Sequence, residues 1–186
     1  MTDREAYIIL NMISGIGPVR LASLCMAFGS PSAILSASKK EVASVNGITP
    51  ELAETVANWN NNVDFESEMK LAKRAGVKII TKIDNEYPLL LKEPNDAPLC
   101  LYIRGEIDPT SHFLVSIVGS RRNTNYGRSM AEYLARSAVY AGWTVVSGLA
   151  FGTDSAAHKA CIEAGGKTIA VLGGGLARIF PQEHIP

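Results

Sequence analysis

Three short apolar runs in the second half of the chain each end in a glycine turn, and that repetition constrains the fold more than any other feature. The runs are Val115-Ser-Ile-Val-Gly-Ser-Arg121, Thr144-Val-Val-Ser-Gly-Leu-Ala-Phe-Gly152 and Thr168-Ile-Ala-Val-Leu-Gly-Gly-Gly-Leu176. Helix-length segments separate them, over 126–141 and 154–164, closed by Gly142 and by Gly165-Gly166. Apolar β-rich runs alternating with helices of this length predict a βαβαβ unit. Such crossovers are nearly always right-handed, so the strands are expected to be parallel with their carboxyl ends on one edge. Open α/β sheets bind ligands at that edge.

Glycine at a strand-to-helix turn lets the backbone bend sharply and lets a phosphate approach main-chain N–H groups with no Cβ in the way. The helix N-terminus that follows adds donors and partial positive charge. Arg121, Arg122 and Arg128 follow the first turn, and no acidic residue occurs from 111 to 131. An edge of this composition suits anions.

At 186 residues and 47% hydrophobic content, the chain is long enough to bury a core in one domain or two small ones. No uncharged apolar run approaches membrane-spanning length, and the start, Met1-Thr-Asp-Arg-Glu, does not read as a signal peptide. The cysteines Cys25, Cys100 and Cys161 are odd in number and unpatterned, which suits reduced thiols and a cytoplasmic setting. Formal net charge is zero but uneven. Residues 1–110 hold 11 basic and 14 acidic groups, and residues 111–186 hold 7 and 4, so the glycine-rich part is the electropositive one.

The first part reads as short helices. Candidates are 5–12, 19–28 with Pro18 at its first turn and Gly29 at its end, a short one opened by Ser30-Pro31, 39–44, and 51–59. Ser14-Gly-Ile-Gly-Pro18 and Asn46-Gly-Ile-Thr-Pro50 share a form, which suggests paired helix-hairpin-helix elements. Such loops offer backbone amides to a DNA phosphate, or they only turn and cap helices; the residues favour neither reading. An amphipathic helix is predicted over 64–75, then strands over 77–81 and 98–104 that bridge onto the main sheet. The division between domains is placed at the asparagines 60–62, giving a helical module over 1–62 and an α/β part over 63–186.

Among the turns, Gly119-Ser120-Arg121 is the sharpest anion signal, because Ser120 can donate to a phosphate and Arg121 can grip one bidentately. In Gly148-Leu-Ala-Phe-Gly152-Thr-Asp154, a capping carboxylate competes with phosphate for the same amides, so Asp154 is expected to shape the turn or meet a sugar hydroxyl. Gly173 and Gly174 fit either a phosphate cradle or close chain packing, with Arg178 and His184 nearby for charge. Asp154, His158 and Cys161 share a helical face, but no second pair of ligands accompanies them, so a structural role is favoured over a metal site. Trp143 and Phe151 are candidates for stacking on a base, set against the commoner role of an aromatic in a core. The first turn has no Gly-x-Gly-x-x-Gly, no Walker lysine follows it, and no Ser-His-Asp or paired-carboxylate set is evident. Binding is favoured over catalysis, with no cofactor.

Ile117-Val-Gly-Ser-Arg121, Val146-Ser-Gly-Leu-Ala-Phe-Gly-Thr-Asp154 with Ala157-His158, and Gly166-Lys-Thr-Ile-Ala-Val-Leu-Gly173 with Gly175-Leu176 and Phe180-Pro181 resemble the signature blocks of the DNA-processing protein A (DprA/Smf) family. The blocks occur in order across the α/β part, and the preceding module resembles that family's sterile-alpha-motif-like or helix-hairpin-helix domain. The resemblance implies a bacterial cytoplasmic protein that binds single-stranded DNA in a Rossmann-like fold, protects incoming strands in natural transformation and helps load RecA recombinase. By position it implies that Gly119, Ser120 and Arg121 belong to the phosphate pocket, and Gly148, Gly152 and Asp154 to its second wall. The chain departs from the family pattern with Gln182 where a lysine often follows the aromatic-proline pair, with Phe151 at a position that is often basic, and with Ala177 where aspartate is common. The family's sheet normally continues into further strands that supply a homodimer surface. This chain, ending at Pro186, is expected to hold a partial sheet and to read as a truncated member.

The fold class is therefore α/β: a helical SAM-like or helix-hairpin-helix module followed by a partial Rossmann-like parallel sheet. The expected function is non-enzymatic capture of single-stranded DNA. The rival is a nucleotide phosphoribohydrolase, an enzyme class that shares glycine-rich Rossmann turns but needs a later motif with a catalytic glutamate.

Overall fold

The computed structural model describes residues 1–176 and Ile179. The chain forms two compact units, Met1–Thr110 and one that begins at Ser111.

The first unit is built from helices whose ends are written into the sequence. They are α1 Asp3–Met12, α2 Pro18–Phe28, α3 Pro31–Ser36, α4 Lys39–Ala43, α5 Pro50–Ala57, α6 Trp59–Asn62 and α7 Phe65–Arg74. Thr2 and Ser38 each close a capping box with the glutamate three residues on, Glu5 and Glu41. Ser30, Thr49 and Asp64 cap α3, α5 and α7 by side-chain oxygen, and proline opens α2, α3 and α5, where its missing N–H costs nothing. The apolar residues of these helices meet in one core containing Ile8, Ile9, Leu10, Leu24, Ile34, Val42 and Val56. Burial of such side chains contributes roughly 1.5–3 kcal/mol each.

Two strands, β1 Lys78–Thr81 and β2 Cys100–Ile103, join that core through Ile79, Leu99 and Cys100. They pair antiparallel with each other, Lys78 opposite Ile103 and Thr81 opposite Cys100. The expectation that they bridge onto the main sheet is not met: they form a separate two-stranded sheet. Their packing partner is helical, which is why residues 63–110 gather with the preceding helices. Arg4 of α1 fastens the hairpin, donating from Nη2 to the Ile79 carbonyl at 2.6 Å and from Nε to Asp84 Oδ2 at 3.1 Å. The connection between these strands holds a short helix, α8 Leu89–Lys92, and the fully buried Tyr87, whose hydroxyl donates to the Pro98 carbonyl at 2.8 Å.

In the second unit, β3 Leu114–Ser116, β4 Thr144–Ser147 and β5 Thr168–Ala170 form a parallel sheet in the order β3-β4-β5. The intervening helices are α9 Asn125–Tyr140 and α10 Thr153–Glu163. They pack on each other and on the strands through Ile117, Ala131, Ala135, Val145, Ala156, Ala157, Ala160 and Cys161. The alanine content lets the two helices approach closely. An Arg136–Glu163 ion pair at 3.1 Å spans them at the surface. The chain enters β5 at Gly166, where an added Cβ would lie 2.2 Å from Val139 Cγ2. A helical module followed by a parallel α/β sheet is the predicted fold class.

Candidate nucleic-acid interface

Parallel register brings the strand ends together. Ser116 lies opposite Val146, and Ser147 opposite Ala170. Backbone bonds extend each pairing past the strands, from Ile117 N to the Val146 carbonyl at 3.0 Å and from Val171 N to the Ser147 carbonyl at 2.8 Å. Ser147 Oγ, buried between the first two strands, donates to the Ile117 carbonyl at 2.6 Å. The segments that follow, 118–124, 148–152 and 172–176, therefore leave from one edge, as the crossover argument requires.

The second turn is held from within. The buried Asp154 carboxylate accepts from Gly148 N at 3.1 Å and from Ala150 N at 3.4 Å. Ser155 donates to the Ala150 carbonyl from Oγ at 2.6 Å and from its amide at 3.1 Å. Asp154 thus shapes the turn, the first of the two roles expected for it, and the Gly148 amide is directed at that carboxylate. A Cβ on Gly148 would sit 2.9 Å from Asp154 Oδ2, so a larger residue there would have to displace this carboxylate.

The first and second turns also touch each other. Gly152 has φ +82, and a Cβ there would lie 2.3 Å from the Ser120 carbonyl oxygen and 2.7 Å from that of Arg121. A Cβ on Gly119 would lie 2.7 Å from Thr153 Oγ1. Thr153 completes the junction by donating from its amide to the Ser120 carbonyl at 3.2 Å. Gly119 and Gly152 are therefore needed for the approach of one turn to the other. Gly173 and Gly174 differ: each is exposed, and no described atom lies within 4 Å of an added Cβ. Close packing among the described residues does not demand glycine at either.

The arginines divide. Arg121 and Arg122 are exposed and make no ion pair among the described residues. The Arg122 amide donates to Ser120 Oγ at 3.1 Å, which uses the Ser120 hydroxyl as an acceptor and leaves its proton available to donate. Arg128, near the start of α9, is instead paired to Glu132 through Nε at 3.0 Å. Thr124 caps α9, accepting from the Gly127 amide at 3.1 Å. Arg178 and His184 lie outside the described residues, as do Ala177, Phe180, Pro181 and Gln182.

The one-face set of Asp154, His158 and Cys161 resolves into separate structural bonds. Thr168 Oγ1 donates to the Val145 carbonyl at 3.0 Å and hydrogen-bonds with His158 Nδ1 at 2.7 Å. Cys161 Sγ donates to the Lys167 carbonyl at 3.2 Å, and burial pushes its thiol above the ordinary range. Trp143 precedes β4 and pairs with Phe113, ring centroids 6.2 Å apart, at the amino ends of the strands, so it is not a residue of the glycine edge. Phe151 is on the glycine edge and exposed.

Sequence reasoning missed Thr153 and Ser147 as the residues that lock the turns. A hydroxyl residue just after a glycine and at the first position of a helix was the available sign for Thr153. It also missed Asn123, whose Nδ2 is buried in the first turn with no hydrogen-bond partner among the described residues.

In the first unit, the two hairpin loops are joined by one side chain. Arg20 donates from Nη1 to the Gly15 carbonyl at 2.7 Å and from Nε to the Gly47 carbonyl at 3.0 Å. The cleft beside it is lined by Ser14, Gly15, Arg20, Thr49, Glu51, Leu52 and Thr55, so its cation is engaged and a carboxylate stands opposite.

Helical hairpins and a parallel sheet with arginine-flanked glycine turns define a class of two-part α/β proteins, and comparison places the chain within it. Residues 78–186 match the family described as DNA recombination-mediator protein A, and residues 7–58 match the SAM-like helix-hairpin-helix tandem. Protein Smf of Synechocystis sp. is 30% identical over 98% of this chain and 47% of its own length. Protein Smf of Escherichia coli is 30% identical over 99% of this chain and 48% of its own length. The X-ray structure of DNA processing protein A from Streptococcus pneumoniae superposes with a TM-score of 0.76 at 27% identity, covering 98% of this chain and 62% of that one. The chain belongs to the DNA recombination-mediator protein A (DprA/Smf) family. It spans about half the length of the Smf relatives it matches.

Proposed function

We propose that this chain captures single-stranded DNA at the glycine edge of its parallel sheet, without catalysing a reaction on it. Arg121 and Arg122 hold backbone phosphates, Ser120 donates to one of them, and the exposed Gly173-Gly174 stretch admits the strand close to the main chain. Arg128 and Arg178 add longer-range attraction. Gly119, Gly148, Gly152 and Asp154 contribute by fixing the shape of the two turns. The observation that carries this reading is the pair of exposed guanidinium groups with no carboxylate partner among the described residues, set on a turn held by Gly152 and Thr153. Phosphate contacts of this kind position a strand without reading its sequence.

A non-enzymatic role is supported by the employment of the polar groups nearest the edge. The Asp154 carboxylate is engaged with turn amides and His158 Nδ1 with Thr168. The rival phosphoribohydrolase reading predicts release of free base from nucleoside monophosphates, and none is expected here. The names of the relatives support a place in DNA processing. Protection of incoming strands and delivery to RecA recombinase are the steps we propose for it, with a homodimer as the proposed working form of the longer proteins. Unpaired thiols at Cys25, Cys100 and Cys161 support a cytoplasmic setting. No described helix is long and apolar enough to cross a membrane.

Fluorescence anisotropy of a labelled oligo(dT) strand tests the reading. Arg121→Ala is expected to weaken binding about tenfold at low salt, because one charge-assisted phosphate contact is removed. The slope of log affinity against log salt should fall by about 0.7, the value for one phosphate on a single strand. Unchanged affinity and slope in this variant refute the site.

A further inference from the structure

We propose that Phe151 is a base-stacking platform beside Arg121, so that the glycine edge holds one nucleotide by two chemistries: its phosphate on the guanidinium and its base on the phenyl ring. The inference rests on the reading of this edge as a single-strand site and deepens it by naming what selects unpaired over paired DNA.

An exposed aromatic residue is by itself ordinary. What sets Phe151 apart is how firmly its exposure is enforced. Phe151 is 41% exposed on a turn held by the Asp154 carboxylate through Gly148 and Ala150, and by Ser155 through the Ala150 carbonyl. Leu149, two residues before it, has φ +61, the only positive φ of a non-glycine residue among those described. That conformation is disfavoured for any side chain with a Cβ and persists only where the surroundings impose it. The following residue, Gly152, is pressed against the carbonyls of Ser120 and Arg121. One residue therefore separates Phe151 from the backbone contact with Arg121.

The remaining exposed aromatic residues of this unit are placed differently. Phe113 and Trp143 pair at the amino ends of the strands, Tyr126 is held in the first turn of α9 rather than on the second glycine turn, and Tyr133 and Tyr140 lie farther along α9, beyond its first two turns. Phe151 is thus the aromatic residue that the second turn delivers to the arginines of the first. A phenyl ring carries no hydrogen-bonding group, and every base has a π face, so such a platform tolerates any sequence. In a duplex those faces are covered by neighbouring base pairs. The ring therefore discriminates against paired DNA, while the guanidinium alone does not.

The test uses the full chain and two labelled strands of equal length and charge, oligo(dT) and an abasic deoxyribose-phosphate strand. Wild type is expected to bind oligo(dT) about tenfold tighter than the abasic strand, the effect of one stacked base. Phe151→Ala should bring that ratio close to one while leaving abasic affinity unchanged. Phe151→Trp should keep or raise the ratio, and Tyr140→Ala should leave it as in wild type. Phe151→Leu keeps apolar bulk without a flat ring and should lower the ratio, which serves if the alanine variant folds poorly. A wild-type ratio in Phe151→Leu or Phe151→Ala, with both strands weakened by Arg121→Ala, overturns the stacking platform and leaves the phosphate site standing. Full affinity of Arg121→Ala for both strands removes the site itself, and the platform with it.

Discussion

The hairpin loops of the first unit and the turns at the sheet edge of the second are both rich in glycine and each carries arginine, yet they spend these residues differently. Gly15 and Gly47 have φ of +94 and +84, and a Cβ on Gly47 would meet nothing within 4 Å. Backbone conformation alone calls for glycine there. Gly119 and Gly152 are crowded by the neighbouring turn, with an added Cβ 2.7 and 2.3 Å from its nearest atoms. The cations divide in the same way, since Arg20 is engaged by two loop carbonyls whereas Arg121 and Arg122 have no ion-pair partner among the described residues. Two segments with similar composition can thus differ in what they offer a phosphate, and the difference is set by which acceptors the fold places beside each guanidinium.

The sharpest way to break this contrast is to add one methyl group at each kind of glycine. Gly152→Ala must accept both a positive φ and a collision with two carbonyl oxygens, and is expected to cost about 3 kcal/mol or more in the second unit. Gly47→Ala meets only the conformational penalty, about 1–2 kcal/mol. Amide hydrogen exchange resolved by unit, with urea unfolding, reads both. Equal costs would show that the two turns do not pack as described. The arginine contrast comes next in size. Arg121→Ala is expected to lower affinity for oligo(dT) about tenfold with little effect on stability. Arg20→Ala should leave affinity within about twofold while costing the first unit about 1 kcal/mol through two lost bonds to carbonyls. A large loss of DNA affinity in Arg20→Ala would move the phosphate site to the hairpins.

Acid provides a test confined to the first unit. Burial raises the Asp84 carboxyl, but the amide and hydroxyl of Thr81 and the Arg4 guanidinium outweigh it and hold the group below its ordinary 3.8. A depressed folded value means that the charged form stabilises the fold above the unfolded value and that this contribution is lost as pH falls through the folded one. Stability of the first unit should therefore decline as pH drops below about 4. Asp84→Asn should flatten that decline, and an unchanged acid profile in this variant would exclude Asp84 as its source.

Most of the fold was legible because its signals are local. Alternating apolar runs and helix-length segments, proline at first turns, and Ser, Thr or Asp before helices gave most helices and strands within a residue or two, but not the one-turn helices α6 and α8. The pairing of Lys78–Thr81 with Cys100–Ile103 was not legible, because antiparallel pairing of distant runs depends on which apolar surface each covers. The site was legible in part. Glycines at strand ends announced an edge, but the same letters served two purposes there: closure of one turn on another at Gly119 and Gly152, and openness at Gly173 and Gly174. A string cannot tell these apart, since the distinction lies in atoms thirty or more positions away, as with Gly152 and the carbonyl of Ser120. Trp143 misled for a related reason: its neighbour in space, Phe113, sits at the opposite end of the strands.

Arg128 provides the finest test, because it tells charge count from charge availability. It lies on the same electropositive stretch as Arg121, and composition treats the two alike. The structure pairs it with Glu132 one helical turn away at 3.0 Å, with the arginine side chain 60% exposed. Exposed pairs at this spacing contribute only about 0.3–0.5 kcal/mol, so the pair costs little to break, while Glu132 offsets part of the attraction that the arginine adds. Arg128→Ala should therefore lower oligo(dT) affinity less than twofold and shift stability within about 0.5 kcal/mol. Glu132→Gln should have the opposite sign, strengthening binding at low salt by releasing the guanidinium, with the gain erased as salt rises. If Arg128→Ala weakens binding as much as Arg121→Ala, the guanidinium leaves Glu132 for the strand, and the phosphate track extends onto the first turns of α9.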